Sequence, residues 1–322
     1  LRTVLMGESK DSIKREIYQK LSAATGLKPE WGILTGIRPV KLCGELIEAV
    51  GLDEAKKVLK NEYLIDDGKI DMIIKMYEYQ IASFDKAAPN SVGMYIGIPF
   101  CPTRCLYCSF ISSQAENEKL EAYVDALIDE IKAIGTRLDK SEFQIESLYI
   151  GGGTPTTLSE NQLNRLLNEI NRYLDIDKIK EYTIEAGRPD TINFEKLKII
   201  KTHGCERISI NPQSMKPETL VKIGRSHTPV EIEKAFELAH QLDFNSINAD
   251  LIAGLPGENL SDFNASLSKI IDLGADNITI HSLAVKRASR LKDEDPAFHY
   301  KQSSITNSMT AKGFKTLCDE GF

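Results

Sequence analysis

From residue 91 onward, short runs of apolar residues alternate with longer stretches in which apolar positions recur every three or four residues. The short runs predict strands at 94–98, 145–150, 182–186, 207–210, 246–252 and 277–282. The longer stretches predict helices near 117–138, 159–173, 193–203, 229–241 and 260–273, several opening on Ser, Thr or Asp caps. Five helices between six strands describe βα units around a parallel sheet, and the fold class they imply is α/β, a partial (β/α)₆ barrel resembling part of a TIM barrel. An open doubly wound sheet has the same spacing and is the alternative.

The first part of the chain follows another period. From Asp11 to about Phe84 the spacing is helical, as in Ala55, Val58 and Leu59, or Ile70, Ile73, Ile74, Met76 and Tyr77. Residues 26–29 and 31–39 break it with glycine and proline, and residues 87–91 read as a linker. The expected organisation is a smaller, mostly helical N-terminal region at 1–90, the barrel at 91–290, and the start of a truncated C-terminal region at 291–322. A start at Leu1 and an end at Phe322, inside a helix-then-turn pattern, suggest a piece of a longer chain.

Composition adds exclusions. With 42% apolar and 27% charged residues, 322 residues can bury a substantial core. A net charge of −7 gives no positive field to gather phosphate backbones or anionic lipid, so neither nucleic acid nor membrane is an expected partner. Without a ~20-residue apolar run or a secretory leader pattern, the sequence reads as cytoplasmic. The six cysteines lack the paired spacing of a disulfide framework, and three of them fall within residues 101–108.

Ligand sites in α/β folds gather at the C-terminal ends of parallel strands, and the chemically suggestive residues fall there. Cys101-Pro-Thr-Arg-Cys105-Leu-Tyr-Cys108 follows the first expected strand and Gly151-Gly-Gly-Thr-Pro155 the second. Glu185 ends the third, residues 211–214 follow the fourth, Asp250 closes the fifth and His281 the sixth. Three thiolates can hold three corners of an iron-sulfur cubane and leave the fourth iron open to a small molecule. Structural zinc is the rival, but it needs a fourth donor, and neither Cys43, Cys205 nor a local histidine is placed by sequence to supply one. The glycine run makes either a tight strand-to-helix turn or a bare backbone surface for a ligand. Plain alternatives accompany the charges: Glu185 as a partner of Arg188, Arg225 as a solvated helix-end cation, Asp250 as a loop cap, Lys286 and Arg287 as an exposed basic pair. His203 and His240 lie in expected helices and read as packed or solvated.

Together, Cys101-x3-Cys105-x2-Cys108 with Tyr107, and Gly151-Gly-Gly-Thr-Pro155, resemble the radical S-adenosylmethionine (radical SAM) superfamily. Adding Tyr95-Ile-Gly-Ile-Pro-Phe-Cys101, Gln213, Gly224-Arg225 and Asp250-Leu-Ile-Ala-Gly-Leu-Pro256 narrows the resemblance to the oxygen-independent coproporphyrinogen III oxidases (coproporphyrinogen dehydrogenases). Residues 31–39, 185–190 and 281–287 bring it nearest to their HemZ-like branch. The resemblance implies a [4Fe-4S] cluster on Cys101, Cys105 and Cys108, with S-adenosyl-L-methionine chelating the open iron and meeting Tyr95, Gly152, Gly153 and Glu185. Tyr107, Thr154, Gln213, Arg225 and Asp250 match positions that line a second S-adenosylmethionine site in that branch. The activity implied is that of a radical SAM oxidoreductase of haem biosynthesis. An electron from an unidentified low-potential donor splits the sulfonium, and the resulting carbon radical starts the oxidative decarboxylation of coproporphyrinogen III propionates to the vinyl groups of protoporphyrinogen IX. Two departures stand beside the thiols: Gly97 where better-studied oxidases have histidine, and Phe110 where they have a further cysteine. Relatives with similar cores include haem carriers without turnover and radical enzymes that modify haem, so a porphyrinogen or haem-like molecule is the expected partner.

Overall fold

A computed structural model describes residues 10–35, 38–83, 88–110, 112–114 and 116–322. The chain divides into two compact units that meet in sequence at residues 87 and 88. The first is helical: α1 (Lys10–Thr25), α2 (Pro39–Val50), α3 (Leu52–Asn61) and α4 (Asp67–Ser83). Its core is small, with Cys43, Leu59, Ile65, Ile70, Ile73 and Ile74 buried together. The break expected at 26–29 separates α1 from α2, and Pro39 takes the first position of α2, where its missing N–H costs nothing. Gly36, Ile37, Phe84 and Ala87, which belong to the expected break, helix end and linker, lie outside the described residues.

The second unit is built on six parallel strands in the order β1 (Ser91–Ile98), β2 (Gln144–Gly152), β3 (Glu181–Gly187), β4 (Arg207–Gln213), β5 (Ser246–Ala253) and β6 (Asn277–Ser282). Helices α5 (Asn117–Leu138), α6 (Glu160–Tyr173), α7 (Phe194–Thr202), α8 (Pro217–Lys222), α9 (Pro229–Gln241) and α10 (Leu260–Asp272) connect them. Among the described residues β1 and β6 do not pair, so the sheet is an unclosed partial barrel. All six expected strands are present, most of them longer than the apolar runs that announced them. The short α8 was not anticipated, because six residues are less than two turns and carry no readable period.

Side chains of successive strand residues point to opposite faces of a sheet, and β3 to β6 largely follow this alternation. Ile184, Ala186, Ile208, Ile210, Ile247, Ala249 and Leu251 are buried with the apolar stripes of the helices, among them Leu163, Leu167, Ile170, Ile200, Phe236, Phe263 and Ile270. The intervening positions are polar: Thr183 and Glu185, Arg207, Ser209 and Asn211, Asn248 and Asp250, Thr279 and His281. Caps fix where the helices start. Ser159 and Gln162 form a reciprocal capping box on α6, as do Thr228 and Glu231 on α9 and Asn259 and Asp262 on α10.

Residues 291–322, expected to begin a further region, cluster with the second unit. Here lie α11 (Arg290–Glu294), which begins one residue earlier, and α12 (Phe298–Asp319), and Met309 of α12 joins the same buried core.

Candidate functional site

The polar strand positions line a cavity of about 580 Å³ at the C-terminal ends of the strands, within the usual size of a small-molecule site. Ser209 Oγ donates to Asn211 Oδ1 (2.7 Å), Asn248 Nδ2 to Ser209 Oγ (2.7 Å) and Asp250 Oδ1 (2.9 Å), and Thr279 Oγ1 to Asn248 Oδ1 (3.2 Å). This hydrogen-bonded floor crosses β4, β5 and β6 and leaves the cavity polar inside and apolar behind.

All twelve candidate residues read from the sequence line this one cavity. Cys101, Cys105 and Cys108 stand on the loop after β1, and none is in a disulfide. The loop is tied at several backbone points: Cys101 N to Ser113 O (3.2 Å), Leu106 N to Ile223 O (2.9 Å) and Leu291 N to Leu106 O (3.0 Å). Burial pushes the Cys108 thiol up.

The glycine run packs directly against this loop. A Cβ on Gly153 would stand 2.5 Å from the Phe100 carbonyl oxygen and 2.9 Å from Cys101 Sγ. Gly152 has φ +115°, a conformation other residues avoid. Glycine is thus required by the closeness of the cysteine loop, and the backbone it exposes faces the cavity. Thr154 is buried, with Oγ1 3.5 Å from Cys101 Sγ. Tyr149 Oη donates to Glu185 Oε1 at 2.7 Å, and Tyr95 stacks on Tyr149 with ring centroids 5.8 Å apart. Burial raises the Glu185 carboxyl above its ordinary value against the lowering effect of the Tyr149 hydrogen bond. Glu185 is therefore held by Tyr149, while Arg188 pairs with Asp190, which removes the plain alternative for Glu185.

Arg225 is buried rather than solvated; its Nη1 donates to Asn211 O (2.6 Å) and its Nη2 to Tyr107 Oη (3.2 Å). Burial disfavours its charge, but the neighbouring Tyr107 and Cys105 more than offset this and raise its pKa. Gln213 has φ +68° and is buried, with no hydrogen-bond partner for Oε1 among the described residues. A strained backbone and an unsatisfied buried oxygen at one residue mark a place kept for something other than stability. Behind it, Ser214 Oγ donates to buried Glu258 and accepts from Lys216 N at 3.0 Å. Asp250 Oδ2 lies 3.7 Å from His281 Nε2, and this neighbouring carboxylate raises the His281 pKa.

Lys286 lines the cavity and Arg287 is exposed. Of the two histidines expected to be packed or solvated, His203 is buried, with Nδ1 2.8 Å from Ile199 O, and His240 is exposed, with Nε2 2.9 Å from Leu273 O. Tyr149 and Arg207 also line the site and were not singled out from the sequence. The period-two spacing of Arg207, Ser209 and Asn211 was the available signal for the second, whereas Tyr149 looked like one more apolar strand residue.

The chain's residues 95–270, more than half its length, match the family model described as the radical SAM superfamily. The chain belongs to the radical SAM superfamily. Membership brings that family's cofactors, a [4Fe-4S] cluster and S-adenosylmethionine. The residues present fit them: three free thiols on one loop, a glycine ledge against them, and an unsatisfied buried amide oxygen in the same cavity. Within the radical SAM superfamily the chain is similar to the oxygen-independent coproporphyrinogen-III oxidase-like protein HemZ of Bacillus subtilis, with 40% identity over 288 residues, 88% of this chain and 58% of that protein. It is also similar to the heme chaperone HemW of Bacillus subtilis, with 37% identity over 193 residues, 60% of this chain and 50% of that one. The chain thus spans about half the length of these two relatives. The solved coproporphyrinogen III oxidase HemN of Escherichia coli shares the fold, with TM-score 0.56 and 24% identity over 70% of this chain and 56% of that one.

Proposed function

We propose that this radical SAM protein carries out the oxygen-independent oxidative decarboxylation of coproporphyrinogen III propionates. The observation that carries the proposal is the convergence of the three thiols, the glycine ledge and a cation-bearing polar floor in one cavity. Cys101, Cys105 and Cys108 would hold the cluster, and Tyr95, Gly152, Gly153 and Glu185 would receive S-adenosylmethionine, the carboxylate suiting ribose hydroxyls. When bound, this pair supplies a one-electron cleavage of a sulfonium that lets a carbon radical take hydrogen from a substrate C–H bond.

The chain's own part is to bind, orient and exclude water. Tyr149 fixes the Glu185 carboxylate at the wall of the cavity. Arg207, His281 and Lys286 present positive groups that can receive propionate carboxylates through charge-assisted hydrogen bonds. Arg225, Tyr107, Thr154, Gln213 and Asp250 line the remaining wall, and a second S-adenosylmethionine there would give the unsatisfied Gln213 oxygen a partner. The apolar packing behind the sheet fixes the strands that present these side chains.

The similarity to a heme chaperone, together with Gly97 and Phe110 beside the thiols, favours one second function: a haem carrier that keeps the cluster without turnover. Anaerobic incubation of the reconstituted protein with coproporphyrinogen III, S-adenosylmethionine, a low-potential reductant and an added one-electron acceptor, which takes the electron the substrate radical loses with carbon dioxide, separates the two. The proposal expects protoporphyrinogen IX and methionine in proportion. Tight stoichiometric haem binding with no methionine released would overturn it in favour of the carrier.

A further inference from the structure

Between the first two thiols lies Thr103, and a buried arginine from the far end of β3 reaches it across 85 positions of sequence. Arg188 is 2% exposed, and a guanidinium taken from water must place all five of its N–H donors. It does. Nε and Nη2 make a fork on Asp190, at 3.0 Å to Oδ1 and 2.9 Å to Oδ2. Nη1 donates to Thr103 Oγ1 at 2.5 Å and to Thr103 O at 3.3 Å, and Nη2 reaches Ser226 Oγ at 3.3 Å. Thr103 Oγ1 then passes its own proton toward Gly224 O at 2.8 Å.

We propose that Arg188 is a positioning residue for the cysteine loop, setting the segment between Cys101 and Cys105 before any cluster is present. Although Arg188 borders the cavity, every donor it owns is already committed, so a ligand carboxylate would find none free. The fork on Asp190 fixes the guanidinium plane, and the carboxylate sits in turn 3.6 Å from His227 Nδ1. The result is a relay from the end of β3, through the loop between two thiols, to the segment that follows α8. Arg225, from that same segment, holds Tyr107 between the second and third thiols. Each interval between thiols is thus pinned by one buried arginine. The ordering entropy of the loop is met by folding, so binding a cluster need not supply it.

The inference rests on the proposed cluster site, and its test separates the two. Wild type, Thr103→Val, Thr103→Ser and Arg188→Lys are reconstituted anaerobically with iron and sulfide. Iron per chain, the rate of iron loss to excess chelator and the melting temperature of the apo form are then measured. Thr103→Val, which keeps shape but loses the hydroxyl, is expected to lose iron about tenfold faster, the scale of one charge-assisted hydrogen bond, with its apo melting temperature lowered by only a few degrees, about the cost of one unsatisfied donor. Thr103→Ser should behave as wild type, and Arg188→Lys, which keeps charge but not the fork, should follow the valine variant. Should the lysine variant fail to fold, the partly exposed Thr103 pair still decides. Wild-type iron retention in Thr103→Val, or equal loss in Thr103→Ser, would overturn the inference alone. Absence of iron from the wild type would overturn the cluster site and this inference with it.

Discussion

Gln213 concentrates the cost of the site in one residue. Its left-handed backbone and unsatisfied buried oxygen are each worth about 1–3 kcal/mol of destabilisation, and the next residue, Ser214, donates to buried Glu258. Burial raises Glu258 to about 6 from an ordinary 4.5. A carboxyl that is harder to ionise in the folded state binds more protons there than in the unfolded chain between those two values, so stability falls as pH rises through that window. The loss is fully present above about pH 6 and absent below about 4.5, and amounts to about 2 kcal/mol at ~1.4 kcal/mol per unit. Urea unfolding across pH 4.5–6.5 should show this slope in the wild type and a flatter profile in Glu258→Gln; an equal slope in both would place the titration elsewhere. At this scale the three thiols were legible because their spacing is local. Arg188 on Thr103 and Tyr149 on Glu185 were not, since 85 and 36 positions separate the partners and only the parallel register brings them together.

Elements were legible where a period ran long enough. Helices α5, α6, α7, α9 and α10 begin within about two residues of where caps and apolar stripes placed them, because a cap is a chemical event at one residue. In α6, Ser159 accepts from Gln162 N at 3.2 Å while Gln162 Oε1 accepts from Ser159 N at 2.9 Å. Ser159→Ala removes the first bond and leaves the Gln162 N–H without that acceptor, while the second, made by the backbone N–H of residue 159, is kept. The expected cost is about 1 kcal/mol, read as a lower denaturation midpoint at unchanged slope; no shift would mean that the tertiary contacts of α6 carry its N-terminus. The strands announced themselves by apolar runs, yet the functional signal was in the residues between, at Thr183, Glu185, Ser209, Asn248 and Asp250. Irregular register between Glu185 and Gly187, and between Ile210 and Gln213, occurs where strands end at the site. Such local breaks re-aim side chains and leave no trace in hydrophobic spacing.

For the molecule as a whole, counting βα units gave the parallel sheet, but closure depends on whether the first and last strands meet, and sequence spacing is indifferent to that. Among the described residues they do not meet, and α12 packs on the last strand instead. The open barrel exposes a polar concave face while its convex face is sealed by helices, and this division places the thiols, the glycine ledge and the cations in one cavity. The central claim is that three thiols hold a cubane with one iron left for S-adenosylmethionine. It is tested most directly by anaerobic reconstitution followed by electron paramagnetic resonance of the reduced protein, with and without S-adenosylmethionine, for the wild type and Ala variants of Cys101, Cys105 and Cys108. The account predicts a brown chromophore that bleaches on reduction, a resonance that changes when S-adenosylmethionine is added, and loss of both in each variant. A colourless protein carrying zinc, or a cluster whose resonance ignores S-adenosylmethionine, would contradict it.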